Sequence, residues 1–283
     1  MVAWNEIGRA AANELGTARV QAHHAAQWAT RAARAVLAPK DDDSHSNLGW
    51  DTAHAALLSH DLKGGGKSLR IGLRPADMTL IALNGGRPLC VFVLNGESDA
   101  AAGEWTAQCL TDNGFDASRL DDPLPYDLPP RDGPYDLRSE APAFRELARY
   151  YGNAATLLDE IAAREAGASP VRCWPHHFDI ATLIALESGD PEHARSIGVG
   201  LSPGDGSYAE PYFYVSPWPY PEAGRLDDEV AEIGHWHSAG FVAYVVTGSE
   251  IAGRFDGGAA VTTALDAAIA RCKDLLDAIP GRA

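Results

Sequence analysis

The chain has 283 residues, 46% of them hydrophobic, so it can bury a substantial core and is not expected to be disordered. Its formal net charge of −16 at pH 7 argues against nucleic acid as a partner, because phosphate binding needs clustered Lys and Arg, whereas it favours solubility, a cationic substrate or a basic partner. No apolar run reaches membrane-spanning length and the first residues lack a signal-peptide pattern, so we expect a cytoplasmic protein without a membrane partner.

The first half of the chain predicts one long helix followed by a small antiparallel sheet. Residues 5–38 have helical periodicity, with a break at Gly16, and end before Pro39. Four short apolar runs then predict strands, at residues 53–62, 69–73, 78–83 and 89–94. Asn84-Gly85, which separates the last two runs, is typical of a tight hairpin.

A segment rich in Pro and Asp separates the two halves. Ser98 is placed to cap a helix through Leu110, and the segment at residues 117–142 then has little periodicity. A second long helix is predicted at about residues 143–166. The chain thus divides into an N-terminal half, a crossing segment and a C-terminal half that carries the histidine motifs, at residues 1–116, 117–142 and 143–283.

The second half is again rich in strands and ends in a helix. Its strand candidates are residues 171–184, 197–201, 212–216 and 240–246. The last helix is predicted from Asp256 or Gly257 to about Ala278. This order of elements predicts an α+β fold with two antiparallel sheets covered by helices, and a cleft between the two halves.

Two tight histidine clusters distinguish the second half. They are Trp174-Pro175-His176-His177-Phe178-Asp179 and Gly234-His235-Trp236-His237. Because side chains alternate between the faces of a strand, His177 and Asp179 are expected to share a face, as are His235 and His237. Histidine changes charge near neutral pH and is the commonest metal ligand, so these clusters are candidates for a functional site.

The first hypothesis for this site is acid–base catalysis. If the strands are neighbours, His177 can serve as the general acid or base and Asp179 as the carboxylate that orients it. Glu210 or His235 is then the second group that handles a proton. In this hypothesis the protein needs no cofactor.

Two more hypotheses for the same residues stay open. His177, His235 and His237, together with a carboxylate, are a ligand set that suits zinc or iron, although the chain has no His-Glu-x-x-His motif. Alternatively, these histidines are half-buried side chains that hydrogen-bond to the backbone and have no chemical role.

Candidate substrate-binding residues surround these positions. Tyr212 and Tyr214 share a face with Glu210; they can line a pocket and stack on a cation, or they can pack in the core. Asp205 lies in a Ser-Pro-Gly-Asp turn that can hold an anionic group on its N–H groups or simply close a hairpin. His176 of the first cluster is also a candidate for substrate contact.

The first half contributes three further candidates. Trp50 is a candidate for substrate binding, and Asp61 and Glu104 are candidate catalytic carboxylates that face the expected cleft. Each of them can instead be a solvated surface position. The four cysteines form no Cys-x-x-Cys pair and are expected to be buried free thiols: Cys90, Cys109, Cys173 and Cys272.

Three of these motifs, taken in order, resemble a family of bacterial, mostly actinobacterial, proteins of unknown function. That family has a Trp-Pro-x-His-Phe-Asp strand, a Ser-Pro-Gly-Asp turn and a Pro-Tyr-x-Tyr strand, and this chain has similar segments at residues 174–179, 202–205 and 211–214. The resemblance implies no activity. It implies that four residues are important without assigning their roles: His176, His177, Asp179 and Asp205.

The leading expectation is an enzyme of small-molecule or secondary metabolism that uses histidine–carboxylate acid–base catalysis on a polar, amine-bearing substrate. A second expectation is a ring-closing enzyme of antibiotic biosynthesis, a lyase or cyclase that expels a leaving group such as sulfate in an aziridine-type cyclisation. Here a carboxylate or a neutral histidine deprotonates the attacking amine. The third is the metal-dependent enzyme, and the fourth is a non-catalytic protein that binds a protein partner or forms an oligomer.

Overall fold

The chain forms two compact units. The structure, a computed structural model, describes residues 4–64, 67–189, 193–226 and 229–277. The N-terminal unit comprises Glu14–Ala148 and Arg172–Phe178. The C-terminal unit comprises Met1–Asn13, Arg149–Val171 and Asp179–Ala283.

The long helix of the N-terminal unit is α1 (Gly16–Val36). It is rich in alanine, the strongest helix former. Because alanine side chains are small, buried residues such as Ala22 and Ala29 let the helix backbone lie close to the sheet. The helix ends before Pro39, as predicted, but the predicted start at residue 5 is wrong: residues 5–11 are not helical, and only a separate 3₁₀ turn (Ala12–Glu14) precedes α1.

Strands of the N-terminal unit form an antiparallel sheet in the order β1-β2-β4-β5-β6, with β3 paired to β4. Their bounds are β1 Gly49–Asp51, β2 Ala56–Leu58, β3 Leu62–Gly64, β4 Lys67–Arg74, β5 Thr79–Asn84 and β6 Arg87–Val93. Asn84 pairs with Arg87 across a two-residue turn. Gly85 and Gly86 have φ of 55° and 79°, as a tight hairpin of this kind requires, so the predicted hairpin is confirmed.

Both helices of the middle of the chain begin at a side-chain cap. Helix α2 (Asp99–Asp112) begins where Ser98 accepts a hydrogen bond from the N–H of Ala101 at 3.1 Å, which confirms the predicted cap. Helix α3 (Leu137–Arg164) begins earlier than predicted, because Asp136 accepts backbone N–H bonds from the first turn.

Helix α3 contains Pro142, and this residue explains the late start that the sequence predicts. A proline inside a helix removes one backbone hydrogen bond and normally marks a boundary. The cap at Asp136 and the apolar positions that follow outweigh that cost here. The boundary between the two units falls within α3, at Arg149.

A turn interrupts the strand predicted at residues 171–184. Strand β7 (Arg172–Trp174) belongs to the N-terminal unit, where Cys173 pairs with Leu48 in an antiparallel bridge. The N–H of Phe178 then donates to the carbonyl of Trp174 at 2.7 Å. Phe178 has φ of 59°, a left-handed conformation that an alternating apolar pattern does not predict.

The C-terminal unit contains a second antiparallel sheet, in which strands run in the order β11-β12-β10-β9-β8. The strand bounds are β8 Asp179–Ala185, β9 Ser196–Ser202, β10 Tyr212–Trp218, β11 His235–His237 and β12 Ala243–Thr247. The fold is therefore α+β with two antiparallel sheets, as predicted.

Two helices follow the last strand, α4 (Gly248–Ile251) and α5 (Gly257–Asp277). Helix α5 packs against β9, β10 and β12 through the apolar stripe that the sequence predicts, which includes Val261, Leu265 and Ile269. Ala278, the predicted end of this helix, lies outside the described residues. None of the helices described above combines the length and the apolar character of a membrane span.

Candidate functional site

One face of the C-terminal sheet carries tyrosine and histidine side chains. Residues that pair directly across antiparallel strands point to the same face. Tyr214 and His235 both pair with Val245 of β12, and Tyr212 and His237 lie two residues away from them on their own strands. We define the tyrosine–histidine face by the side chains that meet there: Tyr208, Tyr212, Tyr214, His235 and His237.

The centre of the tyrosine–histidine face is a chain of hydrogen bonds through Tyr208. The Tyr208 hydroxyl lies 2.9 Å from Nε2 of His235 and 3.1 Å from Nδ1 of His237. Nε2 of His237 lies 2.8 Å from the carbonyl oxygen of Ala239. One hydroxyl thus joins two imidazole rings that lie on the same face of β11, on either side of Trp236.

The carbonyl of Ala239, at the end of this series of hydrogen bonds, determines where the protons lie. A carbonyl oxygen only accepts, so Nε2 of His237 carries a proton, and Nδ1 of the neutral ring is then an acceptor. The Tyr208 hydroxyl therefore donates to His237 and accepts from Nε2–H of His235. For neutral histidines this is the arrangement in which each bond has one donor and one acceptor, and it leaves Nδ1 of His235 as a base.

Aromatic rings pack against Tyr208 and His237, whereas His235 is exposed. Phe241 stacks on the His237 ring at 4.2 Å, and Tyr208 lies 4.8 Å from the Tyr212 ring. Partial burial, and then the charges of Glu250 and Asp205, raise the pKa of Tyr208. His235 is exposed, so solvent reaches the residue that holds the free base.

Asp205 connects the Ser-Pro-Gly-Asp turn to the face. One carboxylate oxygen accepts the backbone N–H groups of Ser207 and Tyr208, and the other accepts the Tyr212 hydroxyl at 2.6 Å. Burial, followed by this bond to Asp205, raises the pKa of Tyr212. The carboxylate thus orients both Tyr208 and Tyr212, so the turn has a role in building the face.

Asp179 reaches the face from the first residue of β8. The Tyr214 hydroxyl donates to Oδ2 of Asp179 at 2.6 Å. Tyr214 can extend across β9 because Gly200 lies beneath it: a Cβ at Gly200 would lie 2.6 Å from the tyrosine hydroxyl oxygen and 2.8 Å from Cβ of Ala181. No pattern in the sequence marks Gly200 as the residue that makes this contact possible.

The second predicted carboxylate of this unit, Glu210, binds a backbone group. Its Oε2 accepts the N–H of Ser249 at 2.5 Å, in the first turn of α4. Thr247 and Glu250 form a capping box at the same turn. The hydrogen bond of Glu210 therefore supports the start of α4, and the predicted role of Glu210 as a second proton-handling group stays a prediction.

His176 and His177 lie in the turn of the N-terminal unit. Their rings are 4.2 Å apart, and His176 also lies beside the rings of Tyr126 and Trp174. Burial, and then the neighbouring His177, lower the pKa of His176. Because His177 is in a turn, the strand period that placed it on one face with Asp179 does not apply, and the two residues belong to different units.

His23, which the sequence does not single out, holds this turn. Its Nε2 lies 2.7 Å from the carbonyl oxygen of Pro175, and its ring stacks on Phe178 at 4.9 Å and an angle of 4°. Gln27 donates to the same carbonyl at 2.9 Å. Burial lowers the pKa of His23 from its ordinary value to about 4, so the ring is neutral and donates to Pro175.

The remaining predicted residues lie in the N-terminal unit. Trp50 is half-buried on β1, and Glu104 is exposed on α2. Asp61 accepts a hydrogen bond from Ser68 at 2.9 Å and lies 3.8 Å from Nε of Arg70. The structure therefore gives Asp61 local partners within its own sheet.

The described residues contain no ready metal site. Across residues 4–64, 67–189, 193–226 and 229–277, no three His, Cys, Asp or Glu side chains are gathered in a way that could hold a metal ion. Of the predicted alternative ligands, His177 belongs to the N-terminal unit, whereas His235 and His237 belong to the C-terminal unit.

The C-terminal unit also has a groove of about 920 Å³, lined by parts of α3 and α5 and by the segment that contains Trp4. Trp4 and Phe255 provide aromatic walls, and Arg254 of the lining pairs with Glu232 at 2.8 Å. The indole of Trp4 packs on Gly258, where a Cβ would lie 2.8 Å from the ring. The volume is within the range of small-molecule sites, and no pattern in the sequence predicts it.

The fold and these contacts define an α+β protein whose C-terminal sheet presents a tyrosine–histidine face flanked by two aspartates. Comparison of the chain with protein-family models, with curated proteins and with solved structures finds no match. The geometry of the tyrosine–histidine face is therefore the basis for a proposed function.

Proposed function

We propose that this protein is an enzyme of small-molecule metabolism that performs acid–base catalysis on its tyrosine–histidine face. The observation that carries the proposal is the Tyr208 hydroxyl between His235 and His237. A hydroxyl hydrogen-bonded to two imidazole rings can pass a proton from one to the other. This mechanism keeps the predicted histidine acid–base catalysis, with His235 in place of His177 as the base and with Tyr208 and His237 in place of the predicted carboxylate.

In the proposed mechanism His235 is the general base. Its Nδ1 accepts a proton from the substrate, and Nε2–H then passes its proton to the Tyr208 oxygen. Tyr208 passes its own proton to Nδ1 of His237, so the positive charge moves to a ring whose Nε2–H already donates to Ala239. His235 becomes neutral again, and the reverse sequence lets it act as an acid.

The groups around the relay favour a polar substrate with an amino group. The carboxylates of Asp179 and Asp205 flank the face through their tyrosine partners, and aromatic rings attract cations. The net charge of −16 also favours the approach of a cation. The two carboxylates are the groups that we expect to orient the ammonium near His235.

The experiment that tests this function compares Tyr208→Phe with Tyr244→Phe. Tyr244 is the matched control because its hydroxyl donates to the Ile233 carbonyl at 2.7 Å, away from the relay. Wild-type protein is incubated with a mixture of polar amines, and mass spectrometry identifies the compounds that change. We expect Tyr208→Phe to slow that turnover by about 100-fold or more, with a loss of less than about 1 kcal/mol in unfolding free energy.

Two results would contradict the proposal. One is equal turnover in Tyr208→Phe and wild-type protein, which would mean that the relay carries no proton in catalysis. The second is an equal loss in Tyr208→Phe and Tyr244→Phe together with lower melting temperatures, which would assign both hydroxyls to stability alone.

A second candidate function, a non-catalytic binding protein, is favoured by an exposed aromatic pair. Trp218 and Tyr220 are 38% and 44% exposed, and their rings are 5.1 Å apart. Exposed aromatic residues often mark binding surfaces. Analytical ultracentrifugation tests this candidate: a self-associating protein that Tyr220→Ala converts to monomer, without any effect of Tyr208→Phe, supports binding over catalysis.

A further inference from the structure

Two cysteines that are distant in the sequence lie side by side in the N-terminal unit. Cys90 on β6 and Cys109 on α2 have their sulfur atoms 3.4 Å apart, and both are free thiols. A disulfide needs a sulfur–sulfur distance of about 2.05 Å, so the two sulfur atoms must move closer by about 1.4 Å for the bond to form. The sequence predicts four buried free thiols, and Cys90 is only half-buried. The contact itself is not predicted, because the two positions are 19 residues apart and lie on different elements.

One aromatic contact joins β6 to α2 beside the two thiols, and one hydrogen bond fixes the end of the helix. Phe92, two residues along β6, stacks on Trp105 of α2 at 5.9 Å. The side chain of Asn113 donates to the carbonyl of Cys109 at 2.8 Å at the end of the helix. The thiols are therefore adjacent because the packing of α2 on β6 places them there.

The two thiols differ in their surroundings. Cys109 is 4% exposed, and burial, followed by the Cys90 thiol, raises its pKa to about 12. Cys90 is half-buried, so it is the more accessible of the pair. The remaining cysteines, Cys173 and Cys272, are buried on β7 and α5.

We propose that Cys90 and Cys109 are an oxidation site, at which peroxide converts the two thiols into a disulfide between β6 and α2. The Cys90 sulfur attacks hydrogen peroxide, the O–O bond breaks, and Cys90 becomes a sulfenic acid with release of water. The Cys109 sulfur then attacks the Cys90 sulfur, the S–O bond breaks and a second water leaves. The two sulfurs lose two electrons in total, and one peroxide accepts them.

This order of steps follows from the geometry. Peroxide reaches Cys90 first because Cys109 is buried, and Cys109 is already in place to resolve the sulfenic acid before further oxidation. The disulfide would tie β6, the edge strand of its sheet, to the helix that packs on it. A cross-link across about 19 residues restricts the unfolded chain.

Peptide mapping of the whole protein tests the proposal. The protein is treated with hydrogen peroxide, remaining thiols are alkylated, and the digest is analysed by mass spectrometry without reduction. We expect one cross-linked peptide pair that contains Cys90 and Cys109, at a mass about 2 Da below the sum of the free peptides. We also expect the melting temperature to rise by on the order of 5 °C and to return after reduction.

Two variants serve as matched controls. Cys272→Ala should leave the cross-link unchanged, because Cys272 is buried on α5 and the sulfur that lies beside Cys90 is that of Cys109. Cys109→Ala should trap Cys90 as a sulfenic acid, which dimedone labels. If Cys109→Ala does not fold, the wild-type peptide map decides the question by itself.

Three outcomes would overturn the proposal. The first is Cys90 oxidised to sulfinic or sulfonic acid with Cys109 still free, and the second is a disulfide between the Cys90 residues of two molecules. The third is recovery of both thiols at a peroxide concentration that oxidises glutathione in the same tube. Loss of activity in Tyr208→Phe is a separate measurement, so the two proposals fail independently.

Discussion

The two units use histidine in opposite ways. In the N-terminal unit, His23 is buried and neutral, and it holds a turn through one carbonyl and one stacked ring. In the C-terminal unit, His235 is exposed and joins His237 through a tyrosine hydroxyl. The difference teaches that the same side chain serves as a fixed hydrogen-bond donor where it is buried, and stands open to solvent beside a tyrosine hydroxyl where it is exposed.

The largest effect that we expect is the dependence of the unfolding free energy on pH that His23 causes. The pKa of His23 is about 4 in the folded protein and about 6.5 in an unfolded chain, so the unfolded state binds the proton more readily. The free energy of unfolding therefore has its full value, as far as His23 is concerned, above about pH 6.5. It falls by about 3 kcal/mol as the pH is lowered toward 4.

Urea unfolding of wild-type protein and of His23→Gln at several pH values between 7.5 and 4 measures this loss. The variant should lack this part of the pH dependence, whereas His24→Gln should retain it. His24 is the matched control because its ring bonds to the carbonyl of Pro129 from the same helix. Parallel curves for wild-type protein and His23→Gln would show that His23 titrates equally in both states.

An intermediate loss of stability is expected for a substitution at Gly200, because Tyr214 of the tyrosine–histidine face passes over this residue. Gly200→Ala places a Cβ 2.6 Å from Tyr214 and 2.8 Å from Ala181, and we expect a cost of about 2 kcal/mol in unfolding free energy and loss of the Tyr214–Asp179 bond. Gly198→Ala is the control on the same strand face, because its nearest neighbours lie at 3.9 Å. Equal melting temperatures for the two variants would refute the close approach.

The smallest effect on stability is expected for Tyr208→Phe, less than about 1 kcal/mol. Its signature is in the histidine tautomers, which ¹⁵N NMR reports at high pH. In wild-type protein both His235 and His237 should carry the proton on Nε2. In Tyr208→Phe, His235 should become a mixture of tautomers, whereas His237 should keep its proton on Nε2 because of Ala239. Tyr212→Phe should change neither ring; an unchanged His235 in Tyr208→Phe would remove the basis of the relay.

Local signals in the sequence predicted much of the fold. The Asn84-Gly85 hairpin, the Ser98 cap and the apolar stripe of α5 were all correct, because each depends on residues within one or two turns of the chain. The predictions failed where a long-range contact decided the local structure. The turn at Phe178 is one example, since its left-handed backbone is accompanied by stacking on His23.

The sequence also pointed to some residues of the candidate site and missed another. The sequence pointed to His235, Tyr212, Tyr214 and Asp179 by residue type and strand period, and these side chains do share a face or reach it. It did not point to Tyr208 as the bridge, because Tyr208 lies in a loop without periodicity. The paired roles of His177 and Asp179 remain a prediction that needs its own test.

By itself the sequence determined the α+β class and most of the strands and helices, because periodicity and capping act over a few residues. It also showed that the histidine and tyrosine motifs lie in the second half of the chain. Only the tertiary structure decided which side chains meet. Strand register or helix packing decides three contacts: the hydrogen bonds of Tyr208 to the two histidines, the passage of Tyr214 over Gly200, and the contact of Cys90 with Cys109. Those are set by burial of the whole core, which no short segment encodes.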